Sequence, residues 1–190
     1  MFLQELIVGK HIQLRSSSEA DAAFILALRL DPTLNQYLNP TPPELSLQEE
    51  WIRKASARAG EYNFVIETKT GERLGVVSIY QIDDAVGTFN WGRWIIKPDA
   101  PMYTAIESTL LIYYLGFIVL GLETALSEVR TGNKTVIRFH QSYGVQILSE
   151  DELEIRYSYE RAQFPALLKK FRGYHEFPLD GDLGHFVGLP

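Results

Sequence analysis

Residues 94–108 read WIIKPDAPMYTAIES: the apolar end of a strand, two prolines close together, and then the opening of a helix. A strand, a tight loop and a helix in that order can hold a phosphate group, because the first free backbone N–H groups of the helix point at the anion. Loops of this kind usually carry glycines, which let the backbone come close to the ligand. This one has none. Read locally, it is either a phosphate cradle braced by Pro98 and Pro101 or a stiff corner, and its surroundings must decide.

Upstream of it the pattern is a meander. YNFVIE (62–67) and RLGVVSIYQI (73–82) flank TKTG, whose Gly71 suits a hairpin turn, and TFNWGRWII (88–96) supplies a third strand. Before the meander, Ile12 and Leu14 alternate with polar residues as a short strand. Ser18 with Asp21 forms a capping pattern ahead of a helix over 22–30, which Asp31-Pro32 ends. A loop rich in proline and asparagine, LNQYLNPTPPELS, precedes a second helix over 47–59. Downstream come an apolar helix over 103–120, a strand TALSEVR, a helix over 133–143 closed by Gly144, strands over 145–148 and 153–159, and a short helix over 164–171. The order predicts an α/β (α+β layered) domain with one mixed, mostly antiparallel sheet flanked by helices. It spans residues 1–190, with a core over about 10–160 and a C-terminal helix and tail over 161–190. Only the connection through 91–130 makes neighbouring parallel strands, and ligand sites favour such places.

Composition narrows the class. The 190 residues are 46% hydrophobic and carry a formal charge of −6, enough for a core and against a nucleic-acid partner, which would call for a basic face. With no cysteine, no secretory leader in MFLQELIVGKHIQLR and no apolar run long enough for a bilayer, the expectation is a cytoplasmic protein that binds neither nucleic acid nor membrane. His11, His140, His175 and His185 are scattered, so no metal is expected.

With IQLRSSSEADA, GVVSIYQID, WIIKPDAPMYTAIES and TGNKTVIRFHQSYGV in place, the chain resembles the GNAT (Gcn5-related) N-acetyltransferases, particularly ribosomal-protein-type and amino-sugar members, over residues 10–159. The resemblance implies the GNAT acyl-CoA fold, acetyl-CoA as acyl donor and a small-molecule amine as acceptor. It places the pyrophosphate of CoA on the 94–108 loop. Of the family's loop signature only Ala105 matches. Backbone N–H groups can still bind phosphate, and since proline has none, Met102, Tyr103, Thr104 and Ala105 are the expected donors. The strand from Arg93 through Ile95 and Ile96 could offer N–H groups to the oxyanion, and Lys97, Arg130, Lys134 and Arg138 could meet phosphates, an ordinary solvated face being the other reading for Lys134 and Arg138 at i, i+4.

The family also implies an Asn-x6-Tyr-x3-Gly pattern on the last helix. Asn133, His140 and Gly144 hold those spacings, with histidine in place of the tyrosine that protonates the departing thiolate. An imidazolium or a neutral imidazole N–H can serve there. His140 also falls on one helical face with Val136 and Tyr143, so packing is the other reading; Asn133 suits an N-cap equally, and Tyr143 is a second candidate acid or core. Glu107, Glu128, Asp83 and Asp84 are candidate bases, Glu107 being also an ordinary first-turn acid. The acceptor side is expected at loop 34–45 with Tyr37, Asn39, Tyr80, Asn90 and Trp91, an aromatic, hydrogen-bonding set that is either packing or a pocket suited to a sugar ring such as a nucleotide-linked amino sugar, with a protein N-terminus or a small polyamine as the other acceptors. A non-catalytic CoA or metabolite binder and a protein-interaction module are the other classes, and the tail suggests a homodimer contact.

Overall fold

The computed structural model describes residues 6–177; the tail beyond them, expected to touch a second subunit, lies outside the described residues. The strands are β1 (Ile7–Val8), β2 (Ile12–Ser16), β3 (Tyr62–Thr68), β4 (Arg73–Asp83), β5 (Thr88–Ile96), β6 (Thr124–Arg130), β7 (Gln146–Glu150) and β8 (Glu154–Glu160). The helices are α1 (Ala22–Leu30), α2 (Leu45–Ser56), α3 (Tyr103–Tyr114), α4 (Lys134–Ser142) and α5 (Phe164–Lys170). One sheet runs in the order β1-β2-β3-β4-β5-β6-β8-β7, antiparallel at every step except β5 beside β6. That single parallel step is the one the sequence places between Trp91 and Arg130.

Local chemistry explains the elements. Ser18 and Asp21 make the expected capping box, the Ser18 N–H donating to Asp21 Oδ2 at 2.9 Å, while Arg15 grips the same carboxylate from β2. The paired guanidinium holds the Asp21 carboxyl below its usual range even though burial alone would raise it. The largely apolar stretch forms α3, buried on nearly all sides, with Glu107 its one charged residue and no continuous polar face in its sequence. Leu110, Leu111 and Ile112 are fully enclosed, each worth roughly 1.5–3 kcal/mol of burial. Gly116 lies against Phe89 of β5, and a Cβ there would overlap the ring. The segment Leu115–Val119 around it winds as a π-helical turn rather than continuing the α-helix expected to Leu120.

Glu107 departs from its sequence reading as a candidate base or an ordinary first-turn acid. It is completely buried, and its Oε1 accepts the backbone N–H groups of His11 at 2.7 Å and Ile12 at 3.2 Å, while Oε2 meets His11 Nδ1 at 2.9 Å. Gly9 leaves room for it, since any Cβ there would collide with the carboxylate. The acid therefore clamps the β1–β2 turn onto α3. The two-residue β1, too short for any sequence period to register, is fixed by this clamp and by pairing with β2.

Candidate functional site

The site begins with a bulge. Between the β4–β5 pairs Val76↔Ile95 and Ser78↔Gly92, β5 has two residues opposite one, and Arg93 takes a left-handed backbone with φ 49°. Such a bulge bends and twists its strand. On the other side β5 pairs with β6 only at Thr88, Phe89 and Asn90. Beyond that point the strands part, leaving the β5 edge from Trp91 to Ile96 and the β6 edge from Ser127 to Arg130 without each other as partners. Unpaired N–H groups at a forked strand edge are ready donors to a developing oxyanion.

The fork opens into a cleft of about 1240 Å³ that runs from Ala105 at the start of α3, past Trp91 and Ile95, to the loop between α1 and α2. That loop is strapped across the top. Tyr37 lies against Gly132, and Asn39 Oδ1 accepts from Arg130 Nη2 at 2.8 Å. On the opposite wall Arg93 pairs with Glu61, donates to Asn63 Oδ1 at 3.1 Å and sits over the rings of Tyr80 and Trp51. Asn63 also accepts from Ser78 at 2.6 Å.

His140, on α4, lines the cleft but is only 2% exposed. Its ring stacks on Trp91 at 5.3 Å and 9° and on Tyr157 at 5.5 Å. Its Nδ1 has no hydrogen-bond partner among the described residues. Burial pushes the imidazole down from 6.5 to about 4, so it is neutral near pH 7. Of the two forms offered by the sequence, imidazolium or neutral N–H, the fold keeps the neutral one.

The structure brings together most of the expected residues. Ile95, Ile96, Ala105, Asn133, His140, Tyr37, Asn39, Tyr80 and Trp91 all line the cleft. Asn133 is the N-cap of α4, its side chain accepting the Val136 N–H at 3.2 Å. Others stand apart. Tyr143 is buried and its hydroxyl meets that of Tyr113 at 3.2 Å, so it packs in the core behind the cleft, and burial raises its pKa well above the ordinary phenol value. Asn90 sits at the closed base of the fork, paired with Tyr80 and Leu126. The Lys97 backbone N–H is spent on Leu74 and its ammonium faces Glu72 and Asp99. Tyr103 stacks its ring on His11 at 4.7 Å. Thr104 departs most from its expected role as a donor: its N–H turns back to the Pro101 carbonyl at 2.9 Å. Among the described residues no other N–H from Met102 to Ala105 is engaged by a backbone carbonyl outside the helix.

Sequence reasoning missed Arg29, Asn63, Trp51 and the side chain of Arg93, all on the cleft. For Arg93 there was a signal, a charged residue inside the apolar run FNWGRWII.

Comparison with known proteins agrees with this geometry. The acetyltransferase (GNAT) domain family matches residues 11–146. The chain is 32% identical to FdhC, described as a nucleotide-linked sugar GNAT, with a TM-score of 0.82 over 90% of this chain and 99% of that one. A GCN5-related N-acetyltransferase from Brucella melitensis (20% identity, TM-score 0.75, 90% and 85% covered) shares the fold. So does a spermidine N-acetyltransferase from Vibrio cholerae in complex with CoA and spermine (17% identity, TM-score 0.71, 81% and 98% covered). No curated protein matches. The chain belongs to the GNAT acetyltransferase family and is an acyl-CoA-dependent N-acetyltransferase. Among the described residues no helix is long and apolar enough to cross a membrane, and no cluster of metal-ligating side chains is found.

Proposed function

We propose that the chain transfers an acetyl group from acetyl-CoA to the primary amine of a nucleotide-linked amino sugar. The observation that carries this reading is the fork at Trp91, whose unpaired strand edges open into one continuous cleft reaching both the start of α3 and the α1–α2 loop. The α3 end suits the CoA pyrophosphate, held by N–H groups from Met102, Tyr103 and Ala105. The far end suits a sugar ring, with Tyr37, Tyr80 and Trp91 offering aromatic faces and Asn39 a hydrogen-bonding amide. The 32% identity to a nucleotide-linked sugar GNAT supports the same acceptor class.

In this reading the neutral amine nitrogen attacks the thioester carbonyl and forms the C–N bond. The oxyanion takes hydrogen bonds from the β5 edge near Ile95 and Ile96. Collapse breaks the C–S bond, and the surplus proton of the amine ends on sulfur. His140, held neutral, donates an N–H to the departing sulfur. Acetyl-CoA titrated by calorimetry should give a saturable heat, and thiol should appear with a nucleotide-linked amino sugar. Absence of binding at millimolar acetyl-CoA overturns the donor; binding without thiol release across amino sugars, amines and peptides overturns the transfer. The chain is proposed to act as one domain in the cytoplasm.

A further inference from the structure

Among the described residues, charge in the cleft is balanced except at Arg29 and at the exposed Lys134. Both cleft carboxylates are paired: Glu128 with Arg156 at 3.2 Å, and Glu154 with Arg156 at 3.1 Å and Arg130 at 3.8 Å. Arg93 has Glu61. Arg29, at the end of α1, has no carboxylate among the described residues. Its Nε donates to Thr41 Oγ1 at 2.8 Å and its Nη2 reaches the Asn39 carbonyl at 3.4 Å. Asn39 also receives Arg130 through its side chain, so one residue of the loop accepts from two guanidinium groups, one at its carbonyl and one at its amide oxygen.

The surroundings of Arg29 are hostile to a lone cation. It is half-buried, and both desolvation and the nearby Arg93 push its pKa down. A guanidinium in that position stays charged, and its five donors are only partly used by two neutral oxygens. Lys134, the other cleft cation without a carboxylate, is exposed and solvated. An acidic protein of net charge −6 has thus left a fixed, uncompensated positive charge on the acceptor wall rather than on the surface.

We propose that Arg29 forms an anion subsite for the diphosphate of the acceptor, and that it excludes polyamines by like-charge repulsion. The subsite rests on the acceptor reading above and names what selects within it. Guanidinium groups suit phosphate because their donors form a planar fork. A free amino sugar lacks the group this charge complements, and a cationic polyamine would meet repulsion there. The same chemistry could be supplied by a phosphate of CoA, so the donor and acceptor must be tested separately.

The probe is thymidine diphosphate, titrated by calorimetry with and without saturating CoA, against wild type, Arg29→Gln and Arg29→Lys. Wild type should bind it in the presence of CoA. Arg29→Gln should weaken binding by about tenfold to a hundredfold and Arg29→Lys by less. The acetyl-CoA affinity and the thermal midpoint should stay unchanged. Equal binding by wild type and Arg29→Gln, or loss of thymidine diphosphate binding whenever CoA is present, overturns the subsite. A weakened acetyl-CoA affinity with unaltered thymidine diphosphate binding also overturns it and assigns Arg29 to the donor. If thymidine diphosphate binding depends on Arg29 but nucleotide-linked amino sugars release no thiol, the subsite stands and the acceptor reading falls.

Discussion

Glu107 and His140 are both buried polar residues on helices packed against the same sheet, and they have opposite surroundings. Every oxygen of Glu107 is occupied: two backbone N–H groups and an imidazole close around it, and it does not line the cleft. His140 is wrapped in aromatic rings, keeps Nδ1 without a partner, and reaches the cleft. A satisfied buried charge ties segments together, whereas an unsatisfied group that touches a ligand space is kept at a cost to stability. On that basis the first is architecture, and the second is where the proposed chemistry falls.

The comparison can be broken most directly at Glu107. Replacing it with leucine strands the N–H groups of His11 and Ile12, and urea unfolding should show a loss of about 3–4 kcal/mol. A loss under about 1 kcal/mol would mean that the clamp does not hold the β1–β2 turn. His140→Phe should do the reverse, keeping the packing within about 1.5 kcal/mol while thiol release falls on the order of a hundredfold. Unchanged turnover across pH removes His140 from the chemistry.

Acid sharpens the same contrast. The unfolded chain takes a proton on His140 near pH 6.5, whereas the folded site resists until about pH 4. The stability contribution is therefore full above pH 6.5 and is lost as pH falls, by about 2 kcal/mol at pH 5. His140→Phe should lack that slope in denaturation curves taken from pH 7 to 5. The smallest effect is expected at Thr104, whose buried Oγ1 is also without a partner but which does not line the cleft. Thr104→Val should be neutral or stabilising by up to about 1 kcal/mol, with the KM for acetyl-CoA unchanged. A raised KM would show that the helix start reaches the cofactor through that hydroxyl.

Much of the fold was legible because local chemistry repeats tertiary demands. The Ser18–Asp21 cap, the turn glycines and the apolar α3 each announce themselves in the residues around them. The family spacing likewise led to Asn133 and His140, and both line the cleft. What escaped depends on contacts distant in sequence. The bulge at Arg93 is a mismatch of register between two strands, and neither strand alone reveals it. Glu107 looks like an ordinary first-turn acid until a turn nearly a hundred residues earlier closes over it. Arg29 reads as one more charge at a helix end until the loop after it folds back. The prolines of the 94–108 loop were visible, but not that Pro101 would claim the Thr104 N–H.

The fork has a consequence for how the molecule breathes. The two antiparallel halves of the sheet, β1 to β5 and β6 to β8, meet through only three residue pairs at Thr88, Phe89 and Asn90. A seam so short is where sub-global opening should be least costly, so amide exchange should divide the chain there. The amides of β6 and β8 would then exchange as a group distinct from those of β3 and β4. Phe89, pinned beneath Gly116, becomes the rivet between two cooperative units, and loosening it would release the C-terminal half while leaving the N-terminal meander protected.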